Sequence, residues 1–278
     1  DVEQYQTDKL PVKAIVIACN TATAFGKETI ENFIDKAGLD IKVIGVIGAG
    51  VRGALESLSK DEDATIGVMA TAGTVSSNGY KNTIMSQTKA LGYNGNIDVF
   101  QQAGIGLAAA IDGEKDYINA ELTAPRNGYR GPSFKHHPQA VIDKSILDRY
   151  GFDWSENKIL YEGSKDSPTK IQLNSIENYI SYHVVTLLEQ MKNGDNPKKL
   201  KSLILGCTHY PFYMDAFKEK LSEFYDYREN GEYVYRDILA ENVEIIDPAL
   251  NTSKELYQHL KVQNLYNNSE IEKSEFYI

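Results

Sequence analysis

Short branched-apolar runs alternate along this chain with longer stretches in which apolar residues recur every three or four positions. Ile15-Val-Ile-Ala18, Ile41 to Ile47, Thr65 to Ala70, Ile97 to Phe100, Leu203-Ile-Leu-Gly206 and Glu241 to Pro248 have the length and character of strands. Helical periodicity is predicted over Ala22 to Ala37, Ala54 to Leu58, Tyr80 to Lys89, Ile176 to Met191 and Phe212 to Phe224. In the first of these, Phe25, Ile30, Phe33, Ile34 and Ala37 share a face and Gly38 supplies the stop. Pro211 suits the first turn of its helix, and Thr252 is expected to cap a short closing one. Strands alternating with helices through short connections predict an α/β protein with a mainly parallel sheet flanked by helices.

Two stretches depart from that rhythm. Gly48-Ala-Gly50 follows a strand and is read as a hinge between domains. With Gly53 it also matches G-x-G-x-x-G, by spacing alone, so no dinucleotide site is inferred from it. From Asp116 to Asn174 the chain is rich in Tyr, Asn, Pro, Gly and charge, and it holds the single Trp, Trp154. This segment is predicted to be an insertion ordered by Tyr129, Phe134, Tyr150, Phe152 and Trp154, packed on the second domain or on a second subunit. Its His136-His137 pair lacks a third ligand and reads as a loop, not a metal site.

Composition narrows the function classes. The 278 residues suffice for one large domain or two modest ones. A net charge of −10 argues against nucleic acid or an anionic membrane surface as partner. No apolar run is long enough to span a bilayer, and nothing resembles a signal peptide. Two cysteines do not make a disulfide scaffold. The expectation is a soluble, cytoplasmic protein.

Those two cysteines carry the chemistry. Cys19 and Cys207 each follow a branched-apolar strand and precede a helical pattern, near a helix N-terminus whose N–H groups favour a thiolate. In open α/β sheets, ligands bind at that end of the strands. Three readings stand side by side: inert buried thiols, a Cys207–His209 nucleophile pair, or two thiols on opposite sides of one ligand. In the third, one thiol removes a proton from carbon and the other returns one to the opposite face. Asn20, Thr21, Thr208 and neighbouring N–H groups would stabilise the developing charge.

Ala18-Cys-Asn-Thr-Ala22 and Gly206-Cys-Thr-His-Tyr-Pro211 resemble the two signature motifs of the glutamate racemases, within the aspartate/glutamate racemase superfamily. Val43 to Ile47, Ala70-Thr-Ala-Gly-Thr-Val75 and Ile245-Ile-Asp-Pro-Ala249 resemble further family segments, so that the likeness covers about 1–112 and 176–260. It implies two similar α/β domains with the active site between them: 1–47 plus 232–278, and 48–231 with the insertion at 116–174. It further implies interconversion of L- and D-glutamate without cofactor or metal, supplying peptidoglycan, with a homodimer among the expected states. Carried over by motif, Cys19 and Cys207 are the acid/base thiols, and His209 assists the second. Asn20, Thr21, Thr71, Thr74 and Thr208 hold the substrate. The alternatives are an aspartate racemase and a non-catalytic binding or regulatory protein of the same fold.

Three departures from the family pattern accompany the resemblance. The family opens with a strand and an Asp-Ser-Gly turn, whereas this chain starts at Asp1, just before the first cysteine strand. The expectation is therefore a chain without those first βα units. Where the family has Gln-Ala-Cys-Pro leading to a glutamate, this chain has Gln102-Ala-Gly-Ile105 leading to Asp112, a carboxylate one methylene shorter. The cysteines also lie several dozen positions further apart than is usual, and 116–174 accounts for the excess.

Overall fold

The computed structural model describes residues 12–134 and 139–265. His136-His137 lies outside them. The order begins β1 (Ala14–Ile17), α1 (Asn20–Lys36), β2 (Lys42–Gly45), α2 (Val46–Glu56), β3 (Ala64–Ala70), α3 (Ala72–Ser76), α4 (Gly79–Ala90), β4 (Ile97–Ala103) and α5 (Leu107–Ile111). It continues with a hairpin, β5 (Ile159–Ser164) and β6 (Ser167–Leu173), then α6 (Ile176–Lys192), β7 (Leu200–Gly206) and α7 (Met214–Asp226). The two-residue strands β8 (Arg228–Glu229) and β9 (Glu232–Tyr233), then β10 (Leu239–Ile246) and α8 (Pro248–Val262), complete it.

Two parallel sheets organise these elements. β1 pairs with β2, and four further strands lie in the order β10-β7-β3-β4. Every residue of β3 is buried, as a parallel strand covered on both faces requires. Alternate side chains of the four-stranded sheet feed two cores. Ile66, Val68 and Ile204 face Val51, Leu55 and Ile84 of α2 and α4, while Met69, Leu203 and Leu205 join the core of α6 and α7.

Strand β10 corrects the sequence-based partition. That partition gives 232–278 to the first unit, of which 266–278 lie outside the described residues, but β10 hydrogen bonds to β7 in the four-stranded sheet. Helix α8 packs chiefly along α2, which itself covers the four-stranded sheet, and also touches β1 and β2. Strand pairing is non-local, so the apolar pattern of β10 was blind to its neighbour. Thr252 is not the cap of α8 either. Asp247 caps it, with Oδ1 accepting from the N–H of Ala249 at 2.8 Å, while Thr252 bonds back to the carbonyl of Pro248.

The expected hinge is a helix. Gly48, Gly50 and Gly53 all lie in α2, so the glycine run forms no phosphate-binding turn. Their lack of side chains serves close packing. A Cβ on Gly50 would lie 3.0 Å from Pro248, and one on Gly53 only 2.5 Å from Asn251. Tertiary contact with α8 thus settles a stretch whose local preference is loose.

Helix α1 starts two residues earlier than expected and buries less. Ile34 is covered, yet Phe25 and Phe33 are 64% and 66% exposed, because a two-stranded sheet spans only part of the helix's apolar face. The insertion is more deeply integrated than an overlay on the surface. Tyr129, Tyr150 and Phe152 are buried in the core that α6 supplies, and Tyr150 stacks on Phe152 at 5.1 Å and on Tyr182 at 5.5 Å. Trp154 packs edge-on to Tyr161 at the hairpin. The four-stranded sheet itself is uninterrupted by the segment. No helix among the described residues is long and apolar enough to cross a membrane.

Candidate functional site

Both cysteines stand where a parallel strand delivers its chain to a helix. Cys19 follows β1 by one residue and is the N-cap of α1, with the N–H of Ala22 directed at Sγ over 3.5 Å. Its extended backbone conformation is that of a cap residue, and a sulfur replaces the oxygen usual there. Cys207 follows β7 directly and is buried, whereas Cys19 is exposed; both are reduced.

The Cys207 turn carries a chain of proton-exchanging groups. Sγ lies 3.4 Å from Nδ1 of His209, and Nε2 of the same ring lies 3.2 Å from Oδ1 of Asp112. Asp112 is placed by α5, of which it is the C-cap. In the neutral ring, a proton on Nε2 is held by this carboxylate, which leaves the Nδ1 lone pair facing the thiol. Burial pushes the Cys207 thiol up from its ordinary range, and the negative charges of Asp112 and Cys19 push the same way. The backbone N–H groups of His209 and Tyr210 oppose them.

A cluster of three hydroxyls lies beside Cys19. Thr21 is 3.3 Å from Thr71 and 3.0 Å from Thr74, and Thr71 and Thr74 are 3.0 Å apart. Thr71 also caps α3, accepting from the N–H of Thr74, which is its structural reading. The cluster joins the start of α1 to the carboxyl end of β3. Thr208 is exposed at the end of β7, next to Cys207. All nine residues singled out in the sequence lie at carboxyl ends of strands, in the turns or helix starts that follow them or, for Asp112, at the C-cap of α5.

Sequence reading missed Tyr80. It stands in the first turn of α4, fully buried, and its hydroxyl donates to Oδ1 of Asn20 at 2.6 Å. A Cβ on Gly206 would come within 2.9 Å of the Tyr80 ring, so the ring lies against the backbone just before Cys207. One side chain thus touches the residue after the first cysteine and the residue before the second. The only local signal was its position nine residues beyond Thr71, at the start of a helix. A second omission is Tyr210, buried behind Cys207 with its hydroxyl on the carbonyl of Gly104 at 3.2 Å. Among the described residues, no group of three or more His, Cys, Asp or Glu side chains is arranged to hold a metal ion.

No protein-family model matches the chain. Individual proteins do. "Glutamate racemase 2" of Caldanaerobacter subterraneus subsp. tengcongensis is 25% identical over 267 residues, covering 96% of this chain and 64% of that protein. The glutamate racemase of Lactococcus lactis subsp. lactis is 42% identical over 227 residues, covering 82% of this chain and 55% of the relative. The chain thus spans less than two thirds of the length of these curated relatives. Among solved structures, that of glutamate racemase isoform RacE1 from Bacillus anthracis matches with a TM-score of 0.50 at 21% identity, over 93% of this chain and 62% of that one. At that identity the match speaks for the fold. Along nearly its whole length the chain is thus similar in sequence to glutamate racemases, and it shares the fold of a solved one.

Proposed function

We propose that the chain works as a cofactor-independent racemase of glutamate, with Cys19 and Cys207 as its two bases. The observation that carries this reading is the convergence of two reduced cysteine turns, far apart in sequence, on the shared buried residue Tyr80. A nucleophile pair of Cys207 and His209 alone would leave Cys19 and its hydroxyl cluster without a role.

In the forward direction Cys19, as thiolate, takes the proton from the substrate's Cα. The bonding electrons stay on carbon and spread into the adjacent carboxylate. Cys207, kept as a thiol by burial, gives its proton to the opposite face of that carbon. The product has inverted configuration, Cys19 ends as thiol and Cys207 as thiolate, and the reverse reaction restores both. Protons and electrons balance without an oxidant. His209 relays the Cys207 proton, and Asp112 holds its ring. Asn20, Thr21, Thr71, Thr74 and Thr208 hold the carboxylate and ammonium groups, and the backbone N–H groups that follow the two cysteines stabilise charge as it builds on the reacting carbon. The active site would then lie between the β1–α1–β2 unit and the unit of the four-stranded sheet.

The names of the relatives support glutamate as the substrate, and D-glutamate would serve peptidoglycan. Optical rotation or circular dichroism of L- and D-glutamate, and of L- and D-aspartate, tests both activity and choice of substrate. The assay is run on this chain and on one extended at its N-terminus. Turnover of glutamate from either side is the expected result. Turnover of aspartate alone transfers the reading to the aspartate enzymes, and inactivity of both chains toward both amino acids overturns it.

A further inference from the structure

Tyr80 holds the key to how the amide of Asn20 is presented. A side-chain amide has two faces of opposite character: an oxygen that accepts and a nitrogen that donates. Which one meets a ligand depends on what occupies the other. Here the phenol of Tyr80 sits 2.6 Å from Oδ1 of Asn20, in a buried pair. Burial and the negative charges of Asp247 and Cys207 hold the phenol far above its ordinary range, so it keeps its proton and acts as the donor. The oxygen of Asn20 is thereby taken. Among the described residues, no group accepts from Nδ2.

We propose that Tyr80 is a positioning residue, which locks the Asn20 amide with its oxygen engaged and its nitrogen left to donate, and so makes that spot selective for a carboxylate oxygen over an ammonium group. This rests on the reading of the site as a glutamate site. Without the phenol, the amide turns over at little cost, and its oxygen then meets the incoming carboxylate with like partial charge. The ring of Tyr80 against Gly206 ties this orientation to the Cys207 turn, so the donor is fixed relative to both thiols. The substrate carboxylate is thereby anchored at the Asn20 end of the cleft, with Cα between the sulfurs.

Phe at position 80 keeps the ring on Gly206 and removes only the hydroxyl, so Y80F is expected to fold. Since Asn20 contacts ground state and transition state alike, the effect falls on KM with little change in kcat. A fivefold to tenfold rise in KM, roughly the worth of one hydrogen bond, is expected. The test is a double-variant cycle of Y80F, N20A and the two combined, in the full chain, with glutamate binding by calorimetry and turnover by circular dichroism. In the N20A background, Y80F should change binding less than about twofold, because the group it acts through is gone. Equal effects of Y80F in both backgrounds, a fall in kcat alone, or unaltered binding overturn the proposal. If the unmodified chain does not bind glutamate, the functional reading and the carboxylate assignment fall together. The positioning is still decided by NMR of the Asn20 side-chain amide: one sharp, slowly exchanging pair of signals is expected, broadened in Y80F, and an unchanged pair in Y80F overturns it.

Discussion

Asp112 Oδ1 lies 3.2 Å from Nε2 of His209, whose other nitrogen faces the thiol of Cys207. The carboxylate reaches the ring from the C-cap of α5 and is about half exposed, so its worth lies in orienting the ring more than in Coulomb attraction. D112N should leave the fold intact and lower kcat/KM about tenfold to a hundredfold, less than the ~10²–10⁴ that a group transferring the proton itself contributes, because Asp112 acts only through the ring. D112E should retain most of the activity. A D112N variant racemising at the unmodified rate removes the carboxylate from the mechanism.

Each serine variant of a cysteine, C19S or C207S, should lose racemisation by at least ~10³-fold, because one of two obligatory proton transfers then falls to a poor acid or base. The surviving thiol still works on its own face. Each single variant is therefore expected to eliminate a leaving group from a suitable substrate analogue of one configuration only. Full racemisation by either variant would falsify the two-base assignment.

His183 provides a pH prediction away from the cleft. It is completely buried, with Nδ1 on Gln102 at 3.2 Å and Nε2 on the carbonyl of Ile105 at 3.1 Å. Burial lowers its pKa to about 4 from 6.5. Between those values the unfolded chain binds a proton that the folded chain does not. Its contribution is therefore intact above about pH 6.5 and lost progressively as pH falls toward 4, on the order of 3 kcal/mol in all. Urea denaturation at pH 7 and pH 4.5 should show a steeper loss for the unmodified chain than for H183Q. Parallel losses in the two proteins would mean that His183 is not the group responsible.

The insertion should matter to stability, not only to assembly. Tyr150 is buried and stacked between Phe152 and Tyr182, so Y150A removes an aromatic ring from the core shared with α6. A loss of about 3–5 kcal/mol is expected, the usual cost of emptying an aromatic site. Excision of 116–174 with a short Gly/Ser bridge should then leave α6 poorly packed and lower the thermal midpoint sharply. An excised chain with an unchanged midpoint and unchanged turnover would show that the segment is an accessory.

Much of the site was legible because its parts are local. A cysteine after three branched apolar residues, followed by polar residues and a helical pattern, specifies a strand-to-helix turn within a dozen positions. Cys19 and Cys207 both stand in such turns. Thr71 and Thr74 were legible for the same reason, since a cap and its N–H are three residues apart. The paired motifs also pointed to the relatives that match along the chain.

What remained hidden depends on partners distant in sequence. Tyr80 and Asn20 are 60 positions apart, and nothing in the periodicity of α4 marks its first tyrosine as the link between two cysteine turns. Gly48-Ala-Gly50 looks like a hinge because glycine is locally permissive, yet it lies in α2, where the missing side chain of Gly50 admits Pro248. β10 carried a clear strand pattern, yet its place beside β7 is a matter of backbone pairing. The aromatics of the insertion announced burial without naming the surface, which is α6. The sequence alone determined which segments are strands and helices and where thiols meet helix starts, since those depend on neighbours within a turn or a cap. Tertiary structure decided which strand lies beside which, and which buried hydroxyl fixes which amide, because such contacts form only when distant segments share a core.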